Sequence, residues 1–346
     1  MLTLHREGLA VFYASPVEGV PSSSMLVFYN PDAALNRDLT VAFLAAAGRE
    51  GMEVLDALAG SGVRGIRIGL ESGLEPELHF SEVRKTSCSV IEENLAINGL
   101  EGTVHCRRCQ AVMAEMNFDY VDLDPFGDAV PYLDSALMSV RHNGLLGVTT
   151  TDLSVLSGKH PRTARRRYLA SVGRGHCPHE LGLRVFLGYV VRMAARLDIA
   201  VRPLLAVHHM HYYRAFFRVR KRRSEADSVL RFLGYVGDYG PLWKPPLQDP
   251  EVISSVRVMP WFPRGRELGR LLEALRRENF EGRCFEVRRL ASELGTSPPP
   301  ISKLLDALRE RGFRAERSPF GPDAFRTDAP EEEVLGAFRE VAGGGL

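Results

Sequence analysis

The chain has 346 residues, of which 45% are hydrophobic and 25% charged, and its formal net charge is +1. A chain of this length and composition can bury a sizeable core, and it predicts a globular protein of two domains. No apolar run is long enough to span a membrane, which excludes a membrane-embedded protein. The first residues lack the basic and apolar regions of a signal peptide, so we expect a cytoplasmic protein, with no obligatory protein partner.

The cysteines are few and unevenly spaced. Five occur, at positions 88, 106, 109, 177 and 284. Such an odd and sparse set does not predict a disulfide framework. Cys106 and Cys109 form a single C-x-x-C pair, whereas a structural zinc site needs four ligands, so we expect no metal centre.

The first fifty residues mix short β-like runs with a turn-rich stretch at 20–24, and a regular alternation follows. Buried β-branched or aromatic runs predict strands, and an apolar period of about 3.6 residues predicts helices. The predicted strands are 53–58, 77–80, 102–106, 118–124 and 145–150, and the helices between them include 85–98 and 132–140. Strands that alternate with helices predict an α/β protein with a mostly parallel, doubly wound sheet.

A long amphipathic helix at 180–197 precedes two β-rich runs, 199–208 and 212–220. Only three residues separate these runs. A parallel crossover needs about a dozen residues or more, so the two runs must form an antiparallel hairpin. A parallel sheet that ends in such a hairpin distinguishes the class I methyltransferase (Rossmann-like) fold from ordinary dinucleotide-binding folds.

A Gly- and Pro-rich stretch at 234–250 predicts a boundary between two domains, residues 1–239 and 240–346. Beyond it, the pattern predicts helices at 266–279, 285–294 and 300–311, and a strand at 312–315. This order is typical of a small winged-helix-like α+β domain.

A glycine-rich turn follows the first predicted strand, with Gly60, Gly62 and Gly65 after Asp56. Glycines there let a cofactor approach the backbone near a helix N-terminus. Glu82, about twenty residues further on, ends the second strand, where an acid can accept hydrogen bonds from ribose hydroxyls. The pattern predicts a nucleotide cofactor, but it does not separate NAD(P) from S-adenosylmethionine.

The sequence DLDPFG at 122–127 leaves the fourth predicted strand at the carboxyl edge, where ligands of such sheets bind. The exocyclic amine of guanine is a poor nucleophile because its lone pair is delocalised into the ring. A carboxylate such as Asp124 can hold that amine and offset the charge that develops on it, and a ring such as Phe126 can stack on the base. A helix N-cap and a core phenylalanine are the alternative interpretation of this pair.

Seven short motifs occur in an order that resembles the archaeal branch of the tRNA guanosine-26 N2-dimethyltransferase family. They are FYNP at 28–31, NRDL at 36–39, LDAL at 55–58, DLDPFG at 122–127, TTDL at 150–153, HELGLR at 179–184 and HYYR at 211–214. The resemblance covers most of the chain. It implies a tRNA methyltransferase that uses S-adenosylmethionine to add one or two methyl groups to N2 of guanosine 26, with an auxiliary C-terminal domain that binds tRNA or positions the catalytic domain.

The resemblance also implies roles for single residues. The implied cofactor contacts are Phe28, Arg37, Asp56, Gly60, Arg64, Glu82, Gln110 and Ala111. Among them, Arg37 would pair with the methionyl carboxylate in an N-terminal segment that folds over the cofactor as a lid. Glu82 would bind the ribose, and Gln110 would bind the adenine. Asp124 and Phe126 would hold the guanine as the catalytic pair.

Two other functions use parts of the same pattern. An NAD(P)-dependent oxidoreductase would need only the glycine-rich turn and Glu82, and a winged-helix regulator would bind DNA through residues 283–327. Both leave the Asp124 motif unused.

Arginine accounts for 39 of the 44 basic residues. This bias suits phosphate recognition, but genomic base composition or a thermophilic source explains it equally well. Basic stretches at 159–174 and 218–223 could hold tRNA phosphates or form solvated faces.

Overall fold

The computed structural model describes residues 2–17, 19, 22 and 24–343. The turn-rich stretch at 20–24 therefore lies mostly outside the described residues. Within the described ranges the chain forms fourteen strands and fourteen α-helices, with 3₁₀ turns at Pro31–Ala33 and Leu230–Phe232. None of these helices is long and apolar enough to cross a membrane.

The strands pair into four sheets, and helices connect most of them. The strands are β1 (Thr3–Glu7), β2 (Ala10–Ala14), β3 (Glu53–Asp56), β4 (Glu77–Ser81), β5 (Thr103–His105), β6 (Phe118–Leu123), β7 (Val140–Thr150), β8 (Ala200–His209), β9 (Tyr212–Arg220), β10 (Leu233–Val236), β11 (Tyr239–Trp243), β12 (Arg283–Glu286), β13 (Ala315–Arg317) and β14 (Ala324–Thr327). The helices are α1 (Ala34–Ala47), α2 (Val63–Glu71), α3 (Lys85–Ile97), α4 (Cys109–Glu115), α5 (Val130–Ser139), α6 (Leu153–Leu156), α7 (Pro161–Tyr168), α8 (Pro178–Ala195), α9 (Arg223–Val229), α10 (Pro250–Ser255), α11 (Gly265–Arg277), α12 (Val287–Leu294), α13 (Ile301–Glu310) and α14 (Glu331–Gly343).

The largest sheet has seven strands in the order β5-β4-β3-β6-β7-β9-β8. Strands β3 to β7 run parallel, and β9 pairs antiparallel with both β7 and β8. Strand β6 is buried at every position because helices cover both faces of the sheet. The strand order reverses between β3 and β6, and open α/β sheets bind ligands at such a reversal, outside the carboxyl ends. The predicted class I methyltransferase fold is confirmed, including its terminal hairpin.

The C-terminal region has the predicted winged-helix-like order of helices and a three-stranded sheet, β12-β14-β13. The helix predicted to begin at residue 285 begins at Val287 instead. Phe285 lies in β12, where it is fully buried and stacks on Phe325 of β14. Both rings belong to an apolar core that extends to Phe338 and is separate from the cores around the central sheet.

The stretch between these two regions is more ordered than its Gly- and Pro-rich composition predicts. Residues 233–243 form the hairpin β10–β11. Helices α10 and α11 pack against α1 and contribute Ile253 and Leu272 to a core of the central sheet. The division of the chain at residue 239 therefore stays a prediction.

A buried ion-pair network connects the C-terminal region to α8. Arg326 of β14 lies 2.7 Å from Glu180 and 3.5 Å from Glu278. Arg184, one turn further along α8, pairs with Glu180 at 2.7 Å and donates to the carbonyl oxygen of Trp243 at 2.9 Å. Burial raises the pKa of Glu278 to about 7, whereas Arg326 and Arg184 outweigh burial and lower the pKa of Glu180. Because loss of one partner would leave a buried charge unpaired, the network fixes this junction.

Two disulfides show that the expectation of no disulfide framework is wrong. Cys88 is bonded to Cys106 and Cys177 to Cys284, with Cα–Cα distances of 5.8 and 5.9 Å. The partners are 18 and 107 residues apart, so their proximity depends on the fold and not on spacing. The C-x-x-C motif is therefore not a metal-binding pair. Among the described residues Cys109 is the free cysteine, and burial raises its pKa to about 11.

Replacing Cys284 with Ser should lower the unfolding temperature of the oxidised protein, because the Cys177–Cys284 bond closes a loop of 107 residues. Disulfides commonly stabilise proteins by about 2–4 kcal/mol, and more for long loops. Calorimetry with and without reductant measures the effect. In reductant, which opens both disulfides, the wild type and the variant should unfold at the same temperature. Cys109→Ser is the control, whose response to reductant should match that of the wild type. Equal unfolding temperatures of C284S and wild type without reductant would contradict the assignment.

Candidate active site

Four polar side chains lie along the carboxyl edge of the central sheet. Asp56 ends β3, Glu82 follows β4 directly, Gln110 lies in the first turn of α4 after β5, and Asp124 follows β6 directly. Neighbouring strands are about 4.8 Å apart, so the row from β6 through β3 and β4 to β5 spans about 14 Å. The fold thus brings predicted site residues from four separate segments to one edge.

The glycine-rich turn between β3 and α2 orients Glu82. Gly60 and Gly62 have φ values of +57° and +78°, in the left-handed region that favours glycine. The N–H of Gly60 donates to Oε2 of Glu82 at 3.2 Å. Oε1 of Glu82 accepts from the backbone N–H groups of Val83 at 2.7 Å and Arg84 at 3.1 Å. At Gly65 a Cβ would lie 2.3 Å from the Phe80 ring, so α2 packs directly on the sheet with its N-terminus at the edge.

Arg64, in the first turn of α2, holds Asp124. Its Nη2 donates to Oδ2 of Asp124, and its Nη1 donates to Asn36 at 3.0 Å and to Thr40 at 2.9 Å. Its Nε lies 3.4 Å from Asp122. Oδ1 of Asp124 makes no hydrogen bond to any described residue, and the side chain is 26% exposed. Each nitrogen of Arg64 contacts a protein group, so its implied cofactor contact stays a prediction.

Asp122, two positions before Asp124, belongs to a fully buried ion pair. Asp122 accepts hydrogen bonds from Arg214 of β9 and from the hydroxyl of Tyr120. Strand β7 lies between β6 and β9, and its Gly147 is in register with Asp122. A Cβ at Gly147 would lie 2.3 Å from the Tyr120 hydroxyl and 2.7 Å from Nη2 of Arg214. Arg214 therefore reaches across β7 because residue 147 has no side chain.

The charges of this cluster determine its protonation. Burial alone would raise the pKa of Asp122, but Arg214 and Arg64 hold it below its usual range. Burial raises the pKa of Asp56 to about 7, because Arg64 offsets this only in part and Asp122 adds to it. Burial alone would lower the pKa of Arg64, but the surrounding carboxylates raise it. Asp122 therefore stays ionised, and Asp56 changes charge near neutral pH.

Arg37 connects α1 to the N-terminal hairpin β1–β2. Its Nε and Nη2 donate to the two carboxylate oxygens of Glu7, and Nη2 also donates to the carbonyl oxygen of Asn30 at 2.8 Å. Burial would raise the pKa of Glu7, but Arg37 and Arg67 lower it to about 2. Nη1 of Arg37 makes no hydrogen bond to the described residues. The pairing of Arg37 with the methionyl carboxylate stays a prediction, for which this nitrogen is available.

Two aromatic rings lie beside Asp124. Phe28 and Phe126 contact edge to face, with ring centroids 4.5 Å apart and planes at 73°. The Phe126 side chain is 59% exposed, so one face of this ring can stack on a base. A Cβ at Gly60 would lie 3.1 Å from the carbonyl oxygen of Phe28, so the segment before α1 passes directly over the glycine-rich turn.

The predicted adenine contacts lie at the start of α4. Oε1 of Gln110 accepts a weak hydrogen bond from the Cys109 thiol at 3.5 Å, and Ala111 is exposed. Both roles stay predictions. No group of three or more His, Cys, Asp or Glu side chains that could hold a metal occurs in the described ranges.

Sequence reasoning missed the buried ion pair between Asp122 and Arg214, which lies beside Arg64 and Asp124. Asp122 and Arg214 are charged residues in buried strands, and such a pair on two strands of one sheet is a signal for a buried ion pair. It also missed Tyr212, which is buried and whose hydroxyl makes no hydrogen bond to the described residues. Tyr212 lies on the same face of β9 as Arg214. Burial, and then the charge of Asp124, raise the pKa of this phenol.

The chain is similar over nearly its whole length to one family of tRNA methyltransferases. The family model for N2,N2-dimethylguanosine tRNA methyltransferases matches residues 11–239 and 236–339. The tRNA (guanine(26)-N(2))-dimethyltransferase of Thermoplasma volcanium is 36% identical over 97% of this chain and 98% of its own. The protein of the same name from Methanopyrus kandleri is 36% identical over 99% of this chain and 98% of its own. The structure of Trm1 from Pyrococcus horikoshii with S-adenosyl-L-methionine has a TM-score of 0.88 at 30% identity, and the match covers 97% of this chain and 99% of that one.

Replacing Gly147 with Ala should separate Arg214 from Asp122, because the added Cβ would collide with Arg214 and Tyr120. Breaking a buried ion pair costs about 3–5 kcal/mol, so the free energy of unfolding should fall by about 3 kcal/mol or more. Urea denaturation measures this fall. Gly269→Ala is the control, since the nearest atom to a Cβ there is 3.8 Å away. If the midpoint of urea unfolding were the same for G147A and the wild type, the role of Gly147 would be contradicted.

Replacing Glu7 with Gln should destabilise the protein at pH 7 by about 3–5 kcal/mol, because Arg37 and Arg67 lose a buried partner. The pKa of Glu7 is lowered from 4.5 to about 2 in the folded protein. Its stabilising effect is therefore complete above pH 4.5 and is lost as the pH falls towards 2. Unfolding measured over this range should show a shrinking difference between E7Q and wild type. A difference that does not change with pH would contradict the ion pair, and the exposed Glu50→Gln is the control.

Proposed function

The chain belongs to the N2,N2-dimethylguanosine tRNA methyltransferase family, and on this premise we propose that it transfers one or two methyl groups from S-adenosylmethionine to the exocyclic N2 of guanosine 26 in tRNA. The observation that carries this proposal is the position of Asp124. Its carboxylate lies at the carboxyl edge of the sheet, one strand from the glycine-rich turn. Arg64 holds one oxygen, and the other makes no hydrogen bond to the described residues.

The side chains along this edge fit S-adenosylmethionine. Glu82, already oriented by the N–H of Gly60, offers a carboxylate to the ribose hydroxyls. Gln110 offers an amide to the adenine one strand further out, and Nη1 of Arg37 offers a donor to the methionyl carboxylate. When bound, the cofactor supplies an electrophilic methyl group on its sulfonium.

Asp124 and Phe126 orient the guanine in this proposal. Oδ1 of Asp124 accepts hydrogen bonds from N1–H and N2–H, which fixes the amine and offsets the positive charge that develops on it. The exposed ring of Phe126 stacks on the base, and base–aromatic stacking contributes about 1–3 kcal/mol. Because these groups set the position of a weak nucleophile, orientation supplies much of the rate.

A guanine inside a folded tRNA has to leave its stack to reach Asp124. Each transfer replaces one N2 hydrogen with a methyl group, and that hydrogen leaves as a proton through the partly exposed Asp124 carboxylate to water. After one transfer N2 keeps a hydrogen, so Asp124 can hold the base for a second transfer by the same contact. We also propose that the protein acts in the cytoplasm, because its proposed substrate, tRNA, is used there.

The two alternative functions are less well supported. The helix that would enter a DNA groove is α13. Its Arg309 lies 3.2 Å from Glu316, and Arg311, directly after the helix, lies 2.9 Å from Glu333. An oxidoreductase would leave the contact between Asp124 and Arg64 without a use.

Replacing Asp124 with Asn should lower kcat by about 10²–10³-fold, the loss typical of one charge-stabilising group. The assay uses labelled S-adenosylmethionine and unmodified tRNA transcripts that carry guanosine or adenosine at position 26, followed by nucleoside analysis. The wild type should form N2-methylguanosine and N2,N2-dimethylguanosine only in the guanosine transcript. Binding of S-adenosylmethionine by D124N, measured by calorimetry, should match the wild type.

The matched control is Asp134→Asn, an exposed carboxylate on α5. It should keep wild-type activity. Absence of transfer to any tRNA by the wild type would overturn the proposed function, and full activity of D124N would overturn the role of Asp124.

A further inference from the structure

Helix α7 carries a row of cations. Arg162, Arg165 and Arg166 are three and four positions apart, so they share one helix face, and all three are exposed. Tyr168, on the opposite face, is buried in the core. Lys159, just before the helix, is also exposed. We call these four cations, Lys159, Arg162, Arg165 and Arg166, the α7 surface.

None of these four side chains forms an ion pair or hydrogen bond within the described part of the chain. Cations in the last turn of a helix stabilise it by about 0.3–1 kcal/mol, which accounts for Arg165 and Arg166 in part. The same dipole disfavours positive charge at the start of a helix, where Lys159 and Arg162 lie. Helix stability therefore does not explain the whole surface.

The α7 surface lies next to the loop that carries Asp124. Arg167, between the surface residues and Tyr168, pairs with Asp152 at 2.5 Å and with Asp128 at 3.3 Å. Asp128 is in the loop that begins at Asp124. The N–H of Thr151 donates to the carbonyl oxygen of Gly127 in the same loop at 2.9 Å. Helix α7 is thus tied to the carboxyl edge of the sheet at the candidate active site.

The other basic stretch, residues 218–223, is not close to the candidate active site, and its cations are not free of partners. Arg218 pairs in register with Leu145 near the start of the parallel part of β7, so this stretch lies at the opposite edge of the sheet. Its exposed arginines also have carboxylate partners, although two of them share one carboxylate. Arg220 and Arg222 lie 3.4 and 3.8 Å from Glu225, and Arg223 lies 3.0 Å from an aspartate.

We propose that the α7 surface binds the phosphates of tRNA beside the nucleotide whose base reaches Asp124. When a base leaves its stack, its own phosphates and those of its neighbours stay at the mouth of the pocket. Exposed guanidinium groups next to that mouth match phosphate oxygens in charge and in fork geometry. The proposal rests on the proposed function for the identity of the base, whereas the phosphate contacts can be measured without methyl transfer.

Arg174, eight positions after Arg166, lines a cleft together with residues of the C-terminal region. Three arginines and three carboxylates line that cleft, so it has no excess positive charge. They are Arg174, Arg288, Arg289, Glu286, Glu293 and Asp323. The phosphate contacts therefore concentrate on α7.

The test compares two triple variants that remove the same number of charges. R162Q/R165Q/R166Q removes the arginines of the α7 surface, and R220Q/R222Q/R223Q removes those of the opposite edge. Filter binding of unmodified tRNA over a range of KCl concentrations gives Kd and its salt dependence. Each lost phosphate contact reduces the slope of log K against log [salt] by about 0.7–0.9, so the α7 variant should lose about 2–3 in slope and bind at least about tenfold more weakly at 0.15 M KCl.

The opposite-edge variant should bind within twofold of the wild type. Binding of S-adenosylmethionine should be unchanged in both variants, and the unfolding temperature should fall by no more than about 4 °C in either, the effect of losing weak surface charge interactions. The α7 variant should show a raised KM for tRNA with wild-type kcat at saturation. Wild-type tRNA affinity and slope in the α7 variant, or equal losses in both variants, would overturn the proposal. If the wild type methylates no tRNA but only the α7 variant loses tRNA affinity, the proposed function fails and the phosphate-binding surface stands.

Discussion

The ion pair between Asp122 and Arg214 is the interaction on which the rest of the site depends. Burial of each ion costs several kcal/mol, and Gly147 in the strand between them leaves the room in which the two meet. Asp122 also contacts Arg64, which in turn holds Asp124. The guanidinium groups of Arg214 and Arg64 thus balance the carboxylates of Asp122 and Asp124. The first three are buried, and together they set the position of the partly exposed Asp124.

Helix α1 connects this cluster to the rest of the molecule. Its residues Asn36, Arg37 and Asp38 are consecutive, polar and buried. Successive residues of a helix point about 100° apart, so each faces a different part of the structure. Asn36 accepts from Arg64 at the site, Arg37 pairs with Glu7 of the N-terminal hairpin, and Asp38 accepts from the backbone just before α11. This otherwise apolar helix contains the sequence NRD because the candidate site, the N-terminal hairpin and the segment before α11 all contact it.

Local pattern was enough to predict the strands of the central sheet, the glycine-rich turn, the terminal hairpin and the position of Asp124 at a strand end, since each depends on residues adjacent in the chain. The partners of these residues depend on which segments become neighbours. Arg64 holds a carboxylate 60 positions further on, and Cys177 is bonded to a cysteine 107 positions away. Strand β12 was missed because a short apolar run such as that around Phe285 fits a helix or a strand equally well, and packing on β14 decides between them.

The junction around Arg326 has a mechanical consequence. This guanidinium lies between Glu180 and Glu278, and the Cys177–Cys284 bond crosses the same junction at the first turn of α8. A rotation of either region would leave a charge stranded in an apolar interior, so the two regions behave as one stiff body. The distance and the angle between the two regions are therefore fixed. Any molecule that contacts both regions has to adapt its own shape to that geometry, because the protein does not adapt to it.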